Sequence, residues 1–69
     1  MAGFERAVRK ILRDHGCTIA RKAKGDHELW HSPMTDLKIT VDNKIKSRHT
    51  ANGILKRAGI DHKFYTNSH

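Results

Sequence analysis

The chain is poor in cysteine, proline and aromatic residues, and it contains no long apolar run. Its one cysteine, Cys17, excludes an intrachain disulfide and a zinc site built on paired thiolates. A lone thiol points to a reducing compartment. No apolar run approaches the ~18 residues of a membrane span, and the first residues show no apolar signal-peptide core. The expectation is a cytoplasmic protein with no membrane partner. Acidic groups are scarce as well: seven Asp and Glu face 14 Lys and Arg, for a formal charge of +7. No tandem acidic pair offers a magnesium site. No P-loop or GxGxxG cradle is present, and no spacing supports a Ser-His-Asp triad.

What is present is positive charge, unevenly spread. Residues 1–24 carry seven basic and two acidic side chains, and residues 44–69 carry six and one. Residues 25–43 carry one basic and four acidic. Two basic ends flank a slightly acidic middle. Such a balance fits a well-solvated surface, and it also fits a polyanionic partner such as nucleic acid. With 69 residues there is one domain. A chain this short buries about 60% of its unfolded surface, so a substrate must lie across the surface rather than in a deep cavity.

Phe4, Ala7, Val8, Ile11 and Leu12 recur at helical spacing, which predicts an amphipathic helix over about 3–15. Arg6, Arg9, Lys10 and Arg13 take its outer face, and Gly16 closes it. Alternation predicts strands at 17–22 and 27–32, joined by the turn Ala23-Lys24-Gly25-Asp26, with Pro33 ending the second. Leu37, Ile39 and Val41 alternate in a third strand. Asp42 to Arg48 reads as a linker. A second helix carries Ala51, Ile54, Leu55 and Ala58, with Ser47 or Thr50 as N-cap and Gly59 at its end. Gly53 inside that helix points to a close approach to the sheet. Residues 1–60 form the domain, and 61–69 form a polar tail, either frayed or docked through Phe64. The architecture expected is α+β: α-β-β-β-α, with both helices on one face of a three-stranded antiparallel sheet.

The segment 24–33, KGDHELWHSP, holds the candidate chemistry. If Trp30 points beneath the helices, then His27, Leu29 and His31 point to the open face. The opposite assignment buries His27. Histidine exchanges a proton near neutral pH, although a lone histidine after a turn also serves as a plain solvated group. His31 is a candidate partner or simply a strand-face residue. His27 and His31 lack a third metal ligand. Asp26 and Glu28 point away from the His27 face in a regular strand. Arg21, Lys22 and Lys24 precede His27, and Lys44, Lys46 and Arg48 lie in the linker. These six are the candidate RNA-binding cations.

GDHELWHSP, the basic strand before it and the later run RHTANGILKRAG resemble the HicA toxins of bacterial toxin–antitoxin pairs. The resemblance covers about residues 4–60. It implies a double-stranded-RNA-binding-domain-like fold and an mRNA interferase whose catalytic histidine is His27. It also implies a HicB-type antitoxin that covers the active site, with DNA reached only through that complex. Asp26 departs from the Ser or Thr of many members, where a carboxylate can orient His27 or repel phosphate. The resemblance says nothing of residues 61–69. The expected chemistry is metal-independent RNA cleavage with no cofactor, His27 serving as base toward the 2′-hydroxyl or as acid toward the leaving oxygen. The rival expectation is a non-catalytic RNA-binding module, which reads duplex RNA by shape.

Overall fold

A computed structural model of the chain describes residues 3–22 and 27–65. Helix α1 spans Glu5–Asp14, strands β1, β2 and β3 span Thr18–Lys22, His27–His31 and Lys38–Asp42, and helix α2 spans Arg48–Arg57. The sheet is antiparallel throughout, in the order β1-β2-β3. Among the described residues no helix is long and apolar enough to cross a membrane.

The apolar stripes of both helices meet one face of the sheet. Val8 and Leu12 of α1, Trp30 of β2, Ile39 and Val41 of β3, and Ala51, Ile54 and Leu55 of α2 form one buried cluster. Trp30 is fully buried, as are Leu12 and Leu55. Leu37 falls just before β3 and is exposed, so the third strand begins one residue later than its alternation implies.

Both helices end the same way. Gly16 and Gly59 adopt φ of +86° and +79°, a region that costs glycine nothing. Gly16 N–H donates to the Arg13 carbonyl and Cys17 N–H to that of Leu12. Gly59 and Ile60 repeat the pattern on Lys56 and Leu55. These are Schellman closures, and the residue after each glycine is buried, as that motif favours. Gly53 departs from expectation. It is exposed, and a Cβ built there meets nothing within 4 Å, so it marks no close approach.

Ser47, not Thr50, caps α2, its side chain accepting from His49 N–H at 3.1 Å. The turn after β2 seals the other end of α2. Ser32 Oγ donates to the Ala58 carbonyl at 2.6 Å and Thr35 Oγ1 donates to that of Arg57 at 3.2 Å. Both carbonyls lie at the end of the helix, where no further turn supplies a donor. The chain stays packed beyond residue 60. Asn52 brackets Phe64 with two hydrogen bonds, and the Phe64 ring lies 5.0 Å from that of Phe4. Residues 61–65 therefore dock through Phe64.

The basic face of α1 is only partly free. Arg9 Nε reaches Glu28 Oε1 at 3.0 Å, and that same oxygen accepts the Trp30 indole N–H at 3.1 Å. Arg13 lies over the Trp30 ring, 5.6 Å from its centroid. Glu5 accepts the Ile45 N–H at 2.9 Å, tying the start of α1 to the segment after β3. Burial alone would raise the Glu28 carboxyl. The hydrogen bonds from Trp30 and Arg9 and the nearby positive charge outweigh it and hold the group below its ordinary value. Backbone N–H groups, Ile45 first, lower Glu5 as well.

Both carboxyls thus contribute stability that is complete above their ordinary value of 4.5 and fades as pH falls through their lowered native values. Thermal melts between about pH 5 and about pH 3 should show Glu28→Gln losing less stability than the parent; equal slopes would contradict this pairing. Trp30→Ala should cost about 3–5 kcal/mol. That is comparable to the whole stability of a domain at about 0.05–0.15 kcal/mol per residue, and circular dichroism should find the variant largely unfolded.

Candidate active site

Side chains directly opposite one another in an antiparallel pair share a face. Trp30 pairs with Ile19 and Ile39, and all three point toward the helices. His27, Leu29 and His31 therefore point to the uncovered face. They are joined there by their partners on β3, Asp42, Thr40 and Lys38.

His27 lies directly opposite Asp42, and its Nδ1 hydrogen-bonds Asp42 Oδ1. Both side chains are about half exposed, at 50% and 48%, so the imidazole is presented to solvent rather than sealed in the core. An ionised carboxylate only accepts, so Nδ1 carries the proton and donates it to Asp42. Nε2 is then the acceptor nitrogen left for a ligand. The carboxylate fixes both the tautomer and the ring orientation, as second partners of catalytic and metal-bound histidines do.

The candidate cations do not stay together. The β1–β2 register slips between Ile19 and Arg21, leaving Ala20 as an extra residue. One inserted residue reverses the alternation beyond it. Arg21 consequently pairs with Leu29 on the open face, diagonal to His27, whereas Lys22 pairs with Glu28 on the helix side. The grouping of Lys22 with the His27 site is thereby corrected: its charge acts on the Glu28 carboxyl instead. Lys24, Gly25 and Asp26 lie outside the described residues.

Lys44 is exposed and follows Asp42 by two residues, at the His27 end of the sheet. Ile45 then turns inward, its N–H on Glu5 and its carbonyl accepting from Phe4 N–H at 2.7 Å. Lys46 lies beyond that anchor, and Arg48, expected in the linker, is the first residue of α2. Lys38 was not among the expected cations, yet its register opposite His31 places it on the open face.

The two carboxylates on this face were also missed as histidine partners. Asp36 Oδ1 lies 2.8 Å from His31 Nε2. Asp42 was not recoverable by counting alone: a third strand that starts at Leu37 sets Val41 opposite His27, and only the start at Lys38 sets Asp42 there. Among the described residues no group of three or more His, Cys, Asp or Glu is gathered as a metal would need. Two grooves of the described surface lie along α1 at Arg6, Lys10 and Arg13, and between α1 and β1 beside Cys17 and Ile19. The His27 side chain is half exposed on the sheet face away from the helices. Comparisons with protein-family models, with curated proteins and with solved structures find no match for this chain.

The geometry makes a direct prediction about the imidazole. In nitrogen-15 spectra recorded with the imidazole uncharged, His27 should show Nδ1 protonated and Nε2 unprotonated. Asp42→Asn should move it toward the mixed tautomers of a solvated ring. An unchanged pattern would show that Asp42 does not set it.

Proposed function

We propose that the protein is a cytoplasmic endoribonuclease of the HicA toxin type, which cleaves messenger RNA without a metal or cofactor and is neutralised by a HicB-type antitoxin. The observation that carries this reading is the half-exposed His27 imidazole, oriented through Nδ1 by Asp42 on the open sheet face. Arg21 on the same face, with Lys44 just beyond Asp42, supplies positive charge for an RNA backbone.

In the proposed reaction the ribose is its own source of nucleophile. Nε2 of neutral His27 takes the 2′-hydroxyl proton. The 2′-oxygen then bonds to the adjacent phosphorus, the P–O5′ bond breaks, and the 5′-oxygen leaves with a proton from a water, whose hydroxide takes the proton back from the His27 imidazolium. Asp42 stabilises the imidazolium that forms, and a nearby cation offsets the charge growing on the phosphate. A positioned acid–base group contributes about 10²–10⁴-fold, which suffices for a slow enzyme that arrests translation. An antitoxin that lays a surface over the open face would block RNA and imidazole together.

His27→Ala should abolish cleavage of single-stranded RNA while circular dichroism shows an unchanged fold. Cleavage by that variant at the parental rate would remove His27 from the mechanism. Asp42→Asn should lower kcat on the order of tenfold with KM little changed. DNA of the same sequence should resist cutting because it lacks the 2′-hydroxyl, and a chelator should leave the rate unchanged. Duplex RNA binding without any cleavage would instead favour the non-catalytic RNA-binding module.

A further inference from the structure

The reaction above makes no use of His31, yet that side chain also has a carboxylate partner. Its Nε2 lies 2.8 Å from Asp36 Oδ1. The Asp36 side chain is 92% exposed, so burial does not force the contact. Asp36 reaches it from a φ of +58°, which aspartate tolerates better than most residues but which still carries a cost. Asp36 N–H on the Ser32 carbonyl at 2.8 Å and Ser32 N–H on that of Leu37 at 3.0 Å hold the turn in this shape. Lys38 stands opposite His31 on β3 and Thr18 opposite it on β1. Leu29, half-buried, lies between the two imidazoles.

His31 lies four residue steps along β2 from His27, a rise of about 13 Å at ~3.3 Å per residue. Their carboxylate partners lie at opposite ends of the sheet: Asp42 ends β3, and Asp36 lies past the end of β2. Two rings so placed cannot serve one phosphodiester. The distance suits a chain that continues past the cleaved bond.

We infer that His31 forms a second nucleotide subsite, its ring stacking on a base of single-stranded RNA beyond the cleaved dinucleotide while Lys38 holds the neighbouring phosphate. The substrate class rests on the ribonuclease reading of His27. Unpaired bases stack readily on imidazole as on other aromatic faces. Leu29 lies under the nucleotide between the two rings, and Asp36 keeps the His31 ring from turning away.

The test is a binding titration on the full-length His27→Ala protein, which leaves RNA uncut. Fluorescence anisotropy compares a single-stranded RNA hexamer with an RNA dinucleotide. Adding His31→Ala should weaken hexamer binding about tenfold and leave dinucleotide binding unchanged. Adding His31→Phe should retain hexamer binding, because stacking needs the ring and not the proton. Equal hexamer binding with and without His31, or no hexamer binding by either protein, overturns the subsite. An equal loss on hexamer and dinucleotide also overturns it, by placing His31 at the cleavage site itself. The two readings fail separately. A His31 effect on binding with no RNA cleavage by the parent removes the nuclease and keeps the subsite, whereas His27-dependent cleavage with no His31 effect does the reverse.

Discussion

The burial of the Trp30 indole fixes which way the central strand faces. It is fully buried beneath two helices, and a strand alternates its side chains between faces. Placing Trp30 inward therefore turns His27, Leu29 and His31 outward together. A 69-residue chain has few other ways to fill its core, since only four of its side chains are Phe, Trp or Tyr. The energy that holds the fold is thus also what exposes the imidazole. Arg9 and Arg13 reinforce the arrangement from α1, one through Glu28 and one over the indole ring.

The two sheet faces divide the charged residues by task. On the covered side, Glu28 Oε1 gathers Arg9 and the Trp30 N–H, an arrangement that leaves no polar atom stranded near the core. On the open side, each histidine of β2 has its own carboxylate, and each is engaged through a different ring nitrogen. His27 keeps Nε2 and His31 keeps Nδ1 for a ligand. The bulge at Ala20 decides which cation joins that side, sending Arg21 outward and Lys22 toward Glu28. Under the proposed function, this half-exposed face with Arg21, Lys38 and Lys44 around it would receive an extended polyanion.

Most of the architecture was legible because it is local. Helical spacing located α1 and α2, period-two alternation located the strands, and Gly16 and Gly59 marked both helix ends. The side of Trp30 followed from its size. The tertiary detail was harder. Nothing in Thr18-Ile19-Ala20-Arg21-Lys22 announces a bulge, since no glycine marks it, so proximity in sequence groups Lys22 with Arg21 although the structure pairs it with Glu28. The pairing of Asp42 with His27 is a matter of register, set by β3 starting at Lys38 rather than at Leu37. Arg9 reads as a solvent residue on a helical wheel, because the wheel does not show that Glu28 lies within reach on the covered face of the sheet. Gly53 invited a packing explanation, and the exposed helix face offers none.

The chemistry assigned to His27 leaves a signature on its product that separates attack by the ribose oxygen from direct hydrolysis of the phosphodiester. The most direct measurement is an analysis of the ends of RNA cut by the parent protein. Attack by the ribose oxygen predicts a 2′,3′-cyclic phosphate on one fragment and a 5′-hydroxyl on the other. Fragments ending in a 3′-hydroxyl and a 5′-phosphate, or RNA that remains intact, would contradict the account.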